Sequence, residues 1–110
     1  MAEQLFERVA WSARIEEDDG YGNTQSDWQD QFETRAAFTY LRGSESVIAA
    51  RLEGRQPIIV RVRSSSDTRK ITTDWQMRDV RAGTIHAVRS IIPTEDRMWI
   101  DITTETGVAS

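Results

Sequence analysis

The chain has 110 residues, no cysteine and one histidine, with 18 acidic side chains against 14 basic ones. That length fits one domain, 1–110, able to bury roughly two-thirds of its unfolded surface. The absence of cysteine excludes disulfides, thiolate metal sites and a Cys nucleophile, and no apolar run approaches the ~20 residues of a membrane span. Charge is unevenly spread: residues 1–33 hold nine acids against Arg8 and Arg14, while residues 34–97 hold twelve bases against seven acids. Such asymmetry suits contact between copies or with neighbouring proteins; the plainer reading is two solvated faces. The opening MAEQLFERVAW carries two glutamates and no apolar core. It does not read as a signal peptide, so the chain is expected to stay in the cytoplasm or be packaged from it.

Val9, Trp11, Ala13 and Ile15 alternate with polar or small neighbours, predicting a strand over residues 6–16. The acidic run EEDDGYGNTQSD, residues 16–27, reads as an exposed loop, with Trp28 and Phe32 packing its far end. Thr34, Ala36, Phe38 and Tyr40 predict a second strand ending near Leu41. A short helix follows, with Ser44 as N-cap, Gly54 just past its end, and Val47, Ile48 and Leu52 as a narrow apolar stripe. Pro57 forbids its continuation. Ile58, Val60 and Val62 predict a third strand, SSSDTRK a polar turn, and ITTDWQMRDV an irregular stretch with one brief strand. Residues 84–92 and 98–105 predict a hairpin turning at Pro93-Thr94-Glu95-Asp96, and residues 106–110 a flexible tail. The fold class is therefore mainly β: a small antiparallel barrel or sandwich of five to six strands, with one short helix between strands 2 and 3.

No motif here carries catalysis. His86 lies mid-strand without a nucleophile pattern and reads as structural or surface. A calcium loop begun at Asp18 would need Gly at its sixth position and Glu at its twelfth, where this chain has Asn23 and Gln29. No metal, cofactor or enzymatic activity is expected. Arg61, Arg63, Arg69 and Lys70, with the four tryptophans, leave open a second reading: a small barrel module that binds nucleic acid or a peptide. Against it, the domain is acidic and its tryptophans fall mostly in apolar alternation.

The ordered set of segments is similar to a known family. ERVAWSARIEEDDGYGNTQSDW resembles the opening of the phage head–tail joining proteins, also called head-closure or stopper proteins: a strand, a D-x-Y-G-N-like loop, then Trp. LRGSESVIAARLEGRQPIIVRVR, ITTDWQMRDVRAGTIHAV and TEDRMWIDITTETGVA resemble the family's later blocks in order. The texture also resembles versions from prophages and gene transfer agents. The resemblance implies a structural virion protein, assembled in the host bacterial cytoplasm. It would form a homo-oligomeric ring, monomeric when free, between a portal-side adaptor ring and the tail terminator or tail tube. The ring would close the DNA-filled head and dock the tail, passing double-stranded DNA without reading its sequence and touching no membrane. By position, the inserted segment 42–56 would face the channel through Arg42, Ser44, Glu45, Arg51, Glu53 and Arg55. The acidic loop, with Asp18, Asp19, Tyr21 and Asn23, would be a docking loop for the next subunit or the adaptor.

Overall fold

Six antiparallel strands close into a barrel in a computed structural model that describes residues 5–18, 20–41 and 43–106. In chain order they are β1 (Glu7–Asp18), β2 (Thr24–Tyr40), helix α1 (Glu45–Leu52), β3 (Gln56–Arg63), a 3-10 turn (Thr68–Lys70), β4 (Gln76–Asp79), β5 (Ile85–Pro93) and β6 (Trp99–Thr106). Around the barrel the order is β1-β2-β3-β6-β5-β4, with β4 pairing back to β1. Closure removes the open edges that a flat six-stranded sheet would expose.

Alternation places the core. Ile58, Val60 and Val62 of β3 and Ile100, Ile102 and Thr104 of β6 point inward. Between them on the outside, Arg61 donates twice to Asp101, at 2.6 and 2.8 Å, clamping β3 to β6. Trp11 is fully buried, and its Nε1 donates to Thr34 Oγ1 at 3.0 Å. Val9, Met77, Val88 and Ile71 complete the centre. Phe32, Phe38, Trp75 and Ile91 pack against it.

Two bulges break the sequence pattern. Trp11 opposes Phe32 but Ser12 opposes Asp30, so Gln31 is an extra residue on β2. Val88 opposes Thr104 but Ser90 opposes Thr103, so Arg89 is extra on β5 and Ile91 returns to the inner side. Bulges of this kind bend the strand and sharpen its twist. The tail expectation for 106–110 lies outside the described residues apart from Thr106, which ends β6.

His86 turns into the barrel, 5 % exposed, with Nε2 against Thr84 Oγ1 at 3.1 Å and Nδ1 without a partner. Burial pushes its pKa down, and the charge of Asp79 opposes that only in part. The unfolded chain therefore binds a proton more readily than the folded one, so stability is lost as pH falls below the ordinary histidine value of about 6.5. His86→Leu should flatten the pH dependence of the unfolding midpoint between about pH 5 and 7. An equally steep profile in the variant would contradict this. Because the chain has a single histidine, its NMR titration can be read without assignment.

Candidate functional site

The stretch expected as a loop over residues 16–27 is instead mostly paired strand: β1 runs on to Asp18, β2 begins at Thr24, and the turn between them is short. The two pair along their whole length, yet β4 covers β1 only at Val9–Ser12 and β3 covers β2 only at Ala37–Tyr40. Residues 13–18 and 24–29 therefore form a two-stranded arm, roughly 20 Å long at about 3.3 Å per residue. It leaves the barrel at the Gln31 bulge. Sequence alternation missed the arm because a ribbon without another strand beside it has little apolar surface to hide.

A polar clamp sets the arm's base. Ser12 Oγ donates to Asp30 Oδ1 at 2.5 Å, and Arg78 Nη2 donates to Asp30 Oδ2 at 2.8 Å. First the Ser12 hydrogen bond and then Arg78 hold the Asp30 carboxyl below its ordinary pKa. The contact is thus strongest above that value and fades as the carboxylate protonates in acid. Ser12→Ala should move the Asp30 pKa back up toward the usual carboxylate range, read by NMR titration of the carboxyl carbon. An unmoved pKa would show that Arg78 alone holds the group.

At the tip, Gly20 (φ 84°) and Gly22 (φ 85°) take the left-handed conformation that the turn needs. Asp18 Oδ1 accepts from the Gly20 N–H at 3.0 Å, and Tyr21 between the glycines is 89 % exposed. Asp18, Tyr21 and Asn23 are thus brought together on one projecting tip. Asp19 lies outside the described residues.

The inserted helix lies at the opposite end of the barrel, since β1 runs out to the arm and β2 runs back from it. Ser44 Oγ accepts from Val47 N at 3.2 Å, capping its start. At its end Arg55 N donates to Ala50 O at 2.8 Å and Gly54 N to Arg51 O at 3.0 Å, with Gly54 at φ +83°. That pair of bonds is a Schellman motif, which ends a helix where glycine permits a left-handed residue.

The helix is turned differently from the expected stripe. Ala50 is its buried contact and Val47 is half-buried, whereas Ile48 is 48 % and Leu52 84 % exposed. Small Ala50 lets the helix backbone approach the barrel, and that pushes the i, i+4 apolar pair outward. Of the segment's charged positions, Arg55 reaches Glu53 at 2.5 Å and Glu105 at 3.6 Å, so both ends of that contact are engaged. Glu45 and Arg51 flank Ile48 and Leu52 on the exposed face, and Arg51 has no carboxylate within 4 Å among the described residues. Arg42 lies outside the described residues. Phe6, Tyr40, Val80 and Ile85 are exposed at this end as well. Phe6 and Tyr40, with Glu7, Ala37 and Phe38, line a depression of about 200 Å³. Sequence reading missed this apolar end because its residues come from four separate segments.

Among the described residues no group of three or more His, Cys, Asp or Glu converges as a metal site. Trp75 packs on Phe32 with ring centroids 6.0 Å apart, and Arg63 covers Trp99 at 4.8 Å. The barrel thus carries an acidic arm at one end and exposed apolar side chains at the other.

The chain belongs to the phage head completion protein family, whose model matches residues 1–107. Its family makes it a structural head protein. Its fold is similar to a chain in the virion of a native gene transfer agent particle, with a TM-score of 0.69 and 17 % identity, covering 99 % of this chain and 100 % of that one. It is also similar to protein SF1141 from Shigella flexneri 2a, with a TM-score of 0.72 and 18 % identity, covering 96 % of each chain. No curated protein sequence matches the chain.

Proposed function

We propose that this protein forms a ring at the head–tail interface, where it closes the DNA-filled head and presents the docking surface for the tail. The observation that carries the reading is the placement of two unlike surfaces at opposite ends of one barrel, the acidic arm and the apolar helix end. A subunit between two different neighbours needs two such surfaces. Family membership supplies the setting in the head.

Within the ring, segment 42–56 faces the channel. Among its described residues Glu45, Arg51 and Glu53 are exposed, beside Ile48 and Leu52. Mixed charge holds phosphates weakly, as a passage for DNA requires. Apolar side chains repeated around a ring would narrow the channel and pack against one another. An eight-residue helix is marginal without packing, so the segment is suited to change shape when DNA passes. At the other end, Asp18, Tyr21 and Asn23 form the docking tip, and Asp19 is assigned to it by its place in the sequence. The ring is free of cofactors and works by contact rather than catalysis.

Antibody-gold labelling of purified particles tests the location. Label confined to the head–tail junction is the expected result, and label spread over the capsid or along the tail would overturn the proposal.

A further inference from the structure

Ser64, Arg69, Pro93, Arg97 and Ile100 line a depression of about 490 Å³ at the arm end of the barrel, formed around β3, β6 and the end of β5. In a six-stranded barrel ordered β1-β2-β3-β6-β5-β4, β6 stands three strands from β1 in either direction. β1 of the arm and the β6 side of the depression therefore stand across the barrel from one another at the same end.

Their chemistry is complementary. The arm exposes Glu16, Asp18 and Asp27 against the single base Arg14, with exposed Tyr21 at its tip. In the depression, Arg69 Nη1 donates to Ser64 Oγ at 3.4 Å, and among the described residues neither Arg69 nor Arg97 has a carboxylate within 4 Å. The acids nearby are mostly engaged: Asp67 faces Lys70 at 3.8 Å, and Asp96 accepts from Thr94 Oγ1 at 2.5 Å and Met98 N at 3.0 Å. Glu95 and Asp96 are exposed carboxylates that oppose an acidic guest, whereas Asp67 is offset by Lys70. Exposed Pro93 gives an aromatic ring something apolar to lie on.

We infer that the arm tip of one copy seats in the Arg69–Arg97 depression of the next. Carboxylates of the arm meet the two guanidiniums, and Tyr21 covers Pro93. One contact between unlike surfaces, repeated by rotation, closes a ring without a separate connecting protein. The contact is charge-led, so it weakens as salt rises beyond the range where the Debye length is about 8 Å. This inference rests on the ring proposed above and adds the surfaces that join its copies.

The lack of native cysteine makes cross-linking clean. Asn23→Cys at the tip and Ser66→Cys at the rim, placed in one chain and treated in assembled particles with a short bis-maleimide, should give a ladder of joined chains beyond the dimer. Each single variant should stop at the dimer. Particles that contain the double variant yet yield no ladder overturn the inference. A charge-swap set decides independently if that variant stays out of particles. Asp18→Lys with Asp27→Lys, and Arg69→Glu with Arg97→Glu, should each lower incorporation at least tenfold with circular dichroism unchanged. All four together should restore it. Normal incorporation of either pair, or no restoration by the four, overturns the inference. If the native chain itself is missing from particles, the proposed function falls instead.

Discussion

Truncating Trp11 to alanine is expected to cost about 3–5 kcal/mol, the range for removing a large buried aromatic. Small domains are stable by only about 5–15 kcal/mol in total, so the variant should sit close to unfolding at body temperature. The side chain is fully buried at the point where β1 turns from barrel to arm, beside the Gln31 bulge. Its loss opens a cavity under Val9 and Met77. It also leaves Thr34 Oγ1 without its indole donor. Trp11→Phe keeps most of the volume and loses the hydrogen bond, so about 1–2 kcal/mol is expected there. Urea unfolding followed by far-ultraviolet circular dichroism, rather than by the tryptophan fluorescence to which Trp11 itself contributes, orders the two. Equal midpoints for native and alanine chains would mean that Trp11 is not the centre of the core.

Replacing Ile48 and Leu52 together by aspartate should do the reverse: little to the subunit and much to the particle. Both side chains are exposed, and the Ser44 cap and the Schellman ending stay in place. Loss of helix propensity should cost the free subunit under about 1 kcal/mol. In the ring, two carboxylates would have to enter an apolar contact, where unpaired charge is strongly disfavoured. A central interface position is typically worth 2 kcal/mol or more, which is about a 30-fold change in occupancy. Heads carrying the variant should therefore lose DNA or lack tails, while the purified protein keeps its unfolding midpoint. Fully infectious particles would show that this helix face touches nothing that matters.

Much of the barrel was legible because burial on one side writes a period of two into the sequence. The runs at Ile58-Val60-Val62 and Ile100-Ile102 are inward in the structure as the alternation predicts. The helix was legible from its ends, since Ser44 and Gly54 are residues that satisfy a helix's unpaired backbone groups. The arm was not, because Gln25, Gln29, Asp30 and Gln31 carry no burial signal even though they lie in β2. The helix's facing was also hidden: a stripe of Ile48 and Leu52 predicts an inward side, while close approach at Ala50 decides the packing. The Arg69–Arg97 depression joins the β3–β4 connection to the β5–β6 turn, and no local pattern could bring those together.

The resemblance to head–tail joining proteins agrees with the family to which the chain belongs. What extends it is geometric: an arm held at a defined angle by a bulge and the Ser12–Asp30–Arg78 clamp, a basic depression across the barrel, and an apolar helix end facing the other way. In the proposed ring these give each subunit a neighbour on either side and one at the helix end.

Electron microscopy of particles made without this protein tests the central claim most directly. The account predicts tailless heads that package DNA and then lose it, alongside separate, unattached tails, with normal particles restored when the protein is supplied. Full, tailed particles in its absence would contradict it.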